Sequence, residues 1–406
     1  MRERLARLSG MALIVWLLQF QAMIAGDLSL RTDFPGGAAK LLSIDQQRRH
    51  IRFEVPESPV GAHRSWWYFR VDGSTPDETL TLELNFGRTR VKRAAYSPDG
   101  SNWSFTPPAV ADEAAGTSTF SQRVTSSSSY FAWYVPYLQS HAERVVAAAE
   151  RACPHARKFE LCRSEAGRRV WAVRFAEPGA TEDSRYGIWI QARQHAWEVG
   201  GSWTAHGLIE WLSSDDESAI ALRRKAQIFV VPIMDVDSVE KGSGGKWQLP
   251  HDHNRDWSDK PYWNSVKAAM ARCKELDNQG RLDVFLDLHD PTWQAPFEFW
   301  CNPYPVMLGP RRRNTDYFLM CARGEIVGPL VFDPEVFSPY TLDTPTAGNW
   351  SSQRTRSHVV GGTVEVGVYP PTGFDAAPPL QHLVAGTELG RTLERYLKRN
   401  PRRIKE

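Results

Sequence analysis

Cysteine and net charge are both in short supply in this sequence. Five cysteines occur among 406 residues, an odd count with no Cys-x-x-Cys spacing, which argues against a zinc-thiolate cluster and against a disulfide framework. Cys153 with Cys162, or Cys301 with Cys321, offers a pairing in an oxidising compartment, but an ordinary buried thiol is the expectation for each. With 49 basic and 47 acidic side chains the formal charge is +2, which leaves no surplus for gripping nucleic acid or an anionic membrane. The run Lys241 to Lys246, KGSGGK, has neither the spacing nor the Ser/Thr of a phosphate loop, so nucleotide binding is not read from it. Beyond the first 26 residues no apolar stretch is long enough to span a bilayer.

What is present describes a folded protein. Apolar residues make up 42% of the chain and charged residues 24%, and the length suffices for two domains. Sixteen tryptophans point to rigid aromatic packing. At the N-terminus Arg2, Arg4 and Arg7 precede the apolar run MALIVWLLQF and the small residues Ala22, Ala25 and Gly26. That order predicts a signal peptide over residues 1–26, cleaved after Ala25 or Gly26, and a soluble periplasmic or secreted product with no stable membrane insertion. If the segment is instead a buried or amphipathic helix, the protein is cytoplasmic.

Two patterns follow. Residues 27–152 read as an antiparallel β-sandwich domain: IRFEV, WWYFRV, LTLELNF and SYFAWYV are strand-like, and turn clusters such as SPDGSN separate them. From 153 to 400 the strand-like runs VWAVRF, YGIWI, QIFVVPI and LDVFLDLH alternate with amphipathic helical stretches. This predicts an α/β domain whose mixed, mainly parallel sheet is flanked by helices. Ligands in such folds sit beyond the carboxyl ends of strands, where His195, Asp235, His289 and Glu365 fall.

These positions carry a chemistry. His195 and Glu198 lie where YGIWI gives way to a helix, and His289 ends LDVFLDL. Two imidazoles and one carboxylate leave the fourth position of a tetrahedral zinc open to water, as a catalytic site requires. Asp287 and Asp290 are both candidates to orient His289. Glu365, between Val364 and Val366 in TVEV, is an unusual carboxylate for a strand unless it faces a polar cavity, and it suits a general base. Arg255 offers a planar fork to a carboxylate, with Asn254 adding an amide. The alternatives are plain: His195 as a structural histidine, Glu198 as a helix cap, Glu365 on an exposed edge, and His251, Asp252, His253 and Asp256 as a second metal site. His206, inside TAHGLIEWL, reads as a packing residue.

The order His-x-x-Glu, Asn-Arg, Asp-Leu-His and Thr-x-Glu resembles the M14 zinc metallocarboxypeptidases over residues 155–395. The preceding β-rich region is similar to that of the cytosolic carboxypeptidase branch. The resemblance implies a carboxypeptidase-like fold and one zinc per chain, held by His195, Glu198 and His289. It implies Glu365 as the base that activates water, and Asn254 and Arg255 as the holders of a peptide or protein C-terminus. Two departures stand out. DVDSV replaces the family's Asn-Pro-Asp-Gly-Val, and Lys246 stands where the branch has an arginine for the oxyanion. Tyr340, in FSPYTLDT, is the candidate for the tyrosine that closes over substrate. A zinc amidase acting on cell-wall peptides or amino-acid conjugates, and a non-catalytic binding protein, are the competing readings.

Overall fold

The computed structural model describes residues 26–57, 65–85, 92–178, 185–246, 248–290, 296–301, 304–367 and 379–403. The expected signal peptide lies outside them apart from Gly26. Among the described residues, no helix is long and apolar enough to cross a membrane.

The N-terminal region holds two five-stranded sheets. One orders Ser29–Arg31, Tyr68–Asp72, Ser128–Ala132, Ala95–Ser97 and Ser104–Phe105. The other orders Lys40–Asp45, His50–Glu54, Thr79–Asn85, Thr117–Arg123 and Val110–Asp112. Pairing is antiparallel except between His50–Glu54 and Thr79–Asn85. In TLTLELN, Leu80, Leu82 and Leu84 are buried while Thr79, Thr81 and Glu83 are not, the period of two that a half-buried strand needs. Phe53 and Phe120 of the second sheet meet Phe69 of the first and Trp67, just ahead of its strand Tyr68–Asp72, edge to face or tilted, and this aromatic layer joins the sheets.

The second region is built on an eight-stranded sheet in the order Ala156–Arg163, Arg169–Phe175, Ala226–Val231, Tyr186–Ala192, Val284–His289, Val360–Val366, Phe297–Trp300, Phe332–Phe337. Its four central strands are parallel. Helices cover both faces, and strand alternation assigns residues to each. Val284, Leu286 and Leu288 join a core with the helices Gln139–Ala152, Val199–Ser213, Glu217–Lys225, Gly309–Glu325 and Leu380–Tyr396. Phe285 turns the other way, to a core with Asn264–Asn278 and Ala347–Gln353. Asp287 and His289 share that second face, so it carries polar side chains at the carboxyl end of this strand.

The two regions share one core: Trp133 packs on Trp197 at 6.1 Å, and Trp203 Nε1 donates to the Val135 carbonyl at 3.0 Å. All five cysteines are free thiols, so neither possible disulfide forms. Burial pushes the Cys301 thiol up to about 12, which keeps it protonated and inert.

Candidate metal centre and active site

The turn after strand Tyr186–Ala192 is shaped by Arg193, whose backbone takes φ of 66° and whose side chain is fully buried. Its Nε donates to the Ala196 carbonyl at 2.7 Å, folding His195 and Glu198 back over the sheet. The helix Val199–Ser213 starts immediately, and its first turn presses on the neighbouring strand. A Cβ at Gly201 would lie 2.7 Å from the Leu288 carbonyl oxygen, so only glycine permits this approach. Glu198 is thereby brought against His289.

Both imidazoles aim Nδ1 at one carboxylate. His195 Nδ1 lies 2.7 Å from Glu198 Oε1, and His289 Nδ1 lies 2.7 Å from Glu198 Oε2. Ligand atoms of the three buried side chains all fall within 4.8 Å of one another, the one such group among the described residues. Ligands of a tetrahedral zinc stand about 3.4 Å apart, so small rotations of these side chains accommodate the ion. The outer nitrogens fit as well: His195 Nε2 lies 3.0 Å from Asp252 Oδ1, and His289 Nε2 lies 2.7 Å from Asp287 Oδ2. Zinc-ligating histidines characteristically pass their second ring proton to such a carboxylate. Asp287 is itself fixed by Gln191 Nε2 at 3.1 Å and by Gln194. Asp290, the other candidate, instead accepts from the Gly200 backbone at the helix start.

Carboxylates surround the two imidazoles, with Glu198 between them, Asp252 behind His195 and Asp287 behind His289. Burial opposes the charge on Glu198, yet His195 and His289 outweigh it and hold this carboxyl well below the usual range. Burial likewise disfavours a cationic His289, but Asp287 and Glu198 drive it well above the ordinary imidazole value. Glu365 behaves oppositely. Burial pushes it up to about 8, with Glu198 and Asp290 adding to the shift and His289 and Lys246 opposing it. Its Oε2 is buried without a hydrogen-bond partner. The strands Val284–His289 and Val360–Val366 place Glu365 directly beside His289 in register.

The remaining expected residues are distributed around this centre. Arg255 is partly exposed, with Nη1 donating to the Asn254 carbonyl at 2.8 Å and the guanidinium 4.9 Å from the Tyr340 ring centroid. Asn254 is buried behind the centre: its Nδ2 lies 3.3 Å from His289 Nε2, and its Oδ1 accepts from the Ala347 backbone at 2.8 Å. Lys246 is half-buried and acts electrostatically on both Asp252 and Glu365. The four residues weighed as a second metal site diverge. His251 pairs with Asp256 at 2.6 Å, His253 Nε2 meets Ser265 Oγ at 2.8 Å, and Asp252 serves His195. In DVDSV, Asp235 caps the helix Val236–Glu240, and Asp237 pairs with Arg168 at 2.9 Å. His206 packs on Tyr137 and pairs with Glu210.

Fold and site together define a zinc-peptidase-type α/β protein with two histidines and one glutamate at its centre. Residues 142–281 match the zinc carboxypeptidase model (Peptidase_M14), and residues 30–134 match the cytosolic carboxypeptidase N-terminal domain. The chain carries an M14 zinc carboxypeptidase domain preceded by a cytosolic carboxypeptidase N-terminal domain. His195, Glu198, Asn254 and Arg255 fall inside the matched span, whereas His289 and Glu365 lie beyond it. A metallo-carboxypeptidase from Burkholderia cenocepacia superposes with a TM-score of 0.78 at 19% identity, covering 91% of this chain and 99% of that one. One from Pseudomonas aeruginosa, in complex with (2-guanidinoethylmercapto)succinic acid, gives 0.75 at 22% identity, covering 90% and 98%. In sequence, cytosolic carboxypeptidase 2 of Danio rerio is 30% identical over 260 residues, 56% of this chain and 36% of that protein. The chain likewise spans only 19% of the Xenopus tropicalis cytosolic carboxypeptidase 2 and 36% of the Caenorhabditis elegans cytosolic carboxypeptidase 6 that it matches.

Sequence reasoning missed Asp252 as the partner of His195, and it missed Gln194, which lies beside His195 yet reaches Asp287. It also passed over Glu298, the residue opposite Glu365 on the next strand. The signal for Glu298 was available: FEFW sets a carboxylate between two aromatics, as TVEV sets Glu365 between two valines.

Proposed function

We propose that this protein is a zinc-dependent carboxypeptidase that removes the last residue from a peptide or protein C-terminus. The observation that carries the reading is the convergence of His195, Glu198 and His289, each imidazole backed by a carboxylate, beside a buried Glu365 with an unpartnered oxygen. One zinc held by these three residues supplies a Lewis acid that polarises an amide carbonyl and acidifies a water.

The chain's own residues do the rest. Arg255 receives the substrate's terminal carboxylate, and the Tyr340 ring beneath the guanidinium steadies its plane. Asn254 supports this clamp from behind, anchored on Ala347. Glu365, whose affinity for a proton is raised to about 8, takes the proton of the attacking water and returns it to the departing amine. Lys246 contributes positive charge near Glu365 for the developing oxyanion, without the fork of an arginine.

Peptides with free C-termini, compared with the same peptides amidated, test the reading. Amidation is expected to abolish turnover, and Arg255→Ala to lower kcat/KM for the free peptides about 100-fold. Equal turnover of both forms puts a zinc amidase in its place. For the compartment, residues 1–26 support export, while relatives named cytosolic carboxypeptidases support the cytoplasm. Sequencing the mature N-terminus separates the two.

A further inference from the structure

The run KGSGGK is no phosphate loop, and the structure gives its glycines another task. Leaving the helix Val236–Glu240, the chain turns at Gly242 with φ of 69°, its N–H donating to the Val239 carbonyl at 3.1 Å. There it meets the N-terminal region. A Cβ at Gly242 would lie 2.6 Å from the Gly37 carbonyl oxygen and 2.8 Å from that of Gly36, a closeness that only glycine permits. The Gly36 N–H donates to the Glu240 carbonyl at 2.9 Å, and the Ser65 N–H donates to the Gly244 carbonyl at 2.8 Å. Trp66, buried beside Ser65, donates from Nε1 to the Gly36 carbonyl at 2.9 Å, so one indole fixes the turn on which Gly242 rests.

The far end of the run is pinned as well. Gln248 is buried, and its Nε2 donates to the Gln194 carbonyl at 2.9 Å and to Asp235 Oδ2 at 2.8 Å, which ties it to the turn that carries His195. Lys246 lies between the two anchors, two residues after Gly244 and two before Gln248. Its charge acts on Asp252 and Glu365. A lysine is a point charge on a flexible stem, without the rigid fork of an arginine, so where it acts depends on where its backbone is held.

We propose that the N-terminal region is part of the catalytic apparatus: its Gly36–Gly37 turn and Ser65 backbone hold the run 241–246 so that the Lys246 ammonium stands at the reacting carbonyl. Gly242 and Trp66 are the positioning residues of this contact. The catalytic consequence rests on the carboxypeptidase reading above, and the placement of Lys246 does not.

Gly242→Ala puts a methyl group on the Gly37 carbonyl and drives the run away from the N-terminal region. Its control is Gly116→Ala, at φ of 67° with nothing within 4 Å of the added Cβ, which carries the backbone strain without the contact. Trp66→Phe keeps a ring and releases the Gly36 carbonyl, a milder change that serves if Gly242→Ala does not fold. We expect Gly242→Ala to lower kcat about tenfold and Trp66→Phe about threefold, with KM little changed, and Gly116→Ala to match wild type. In a Lys246→Met background neither substitution is expected to cost more than about twofold further, because both act through the ammonium. Losses that repeat in full in that background, or an unchanged kcat in the single variants, overturn the proposal.

Acetic anhydride labelling reads the placement without turnover, scored by peptide mass spectrometry as the rate at Lys246 relative to the exposed Lys274. The ratio is expected to rise at least about threefold in Gly242→Ala and in Trp66→Phe as the run loosens. That rise in a protein that cleaves no peptide supports the placement and overturns the peptidase reading alone. An unchanged ratio overturns the placement.

Discussion

His289 and Glu365 are the last paired residues of two parallel strands that run in register from Val284 opposite Val360. Five preceding pairs fix their relative position, so the histidine and the base are held by the backbone of the sheet. The histidine meets Glu198 and Asp287, while Glu365 Oε2 meets no partner. A group made costly to ionise by burial, next to a site that gathers positive charge, is suited to accepting a proton.

Glu365→Gln keeps the shape and removes the base. We expect kcat to fall by about 10²- to 10⁴-fold with zinc content unchanged. Steady-state kinetics alongside elemental analysis check this, and a loss of zinc in the variant would assign Glu365 to the metal instead.

Asp252 accounts for half of the support behind the centre, through His195 Nε2. Asp252→Asn is expected to weaken zinc binding about 10- to 100-fold, measured by competition with a chromophoric chelator, with the circular dichroism spectrum preserved. Unchanged affinity would make the contact incidental.

Lys246→Met removes the charge beside Glu365. Turnover is expected to fall about tenfold or more with little change in KM, as for an interaction felt in the transition state. Unaltered turnover sinks the oxyanion role.

Two histidines away from the centre make stability depend on pH. Burial holds His141 down at about 4 and His382 down at about 3. His141 Nδ1 accepts from the Leu138 backbone N–H at 3.1 Å, and Arg144, His206 and Arg193 all oppose its protonation. The unfolded chain takes up these protons near pH 6.5 and the folded chain does not, so stability present above that pH is lost as pH falls toward 4. The slope approaches about 1.4 kcal/mol per pH unit for each group. Urea midpoints from pH 7 to 4.5 measure it; a midpoint constant over that range contradicts the account.

Much of this architecture was legible in the sequence because it depends on short periods. Alternating segments such as TLTLELN and uninterrupted ones such as YGIWI become strands, and the polar residue after each apolar run marks the sheet edge that carries the site. Partnerships between distant segments were not legible. His195 and Asp252 are 57 positions apart, and the turn His253–Arg255 that aims Asp252 is set by Asp252 capping the Asn254 N–H at 2.7 Å. The same turn sends His251, His253 and Asp252 to three different partners, a divergence that local sequence does not reveal. Nor does the sequence reveal that Asn254, the expected partner of Arg255 in holding a substrate carboxylate, accepts the Ala347 backbone N–H on its Oδ1.

The central claim is the metal centre, and elemental analysis of purified wild type beside His289→Ala tests it most directly. One zinc per wild-type chain, largely lost from a variant that remains folded, is the predicted result. Wild type that takes up little zinc after reconstitution without chelators, or a folded variant that retains it fully, would contradict the site built on His195, Glu198 and His289.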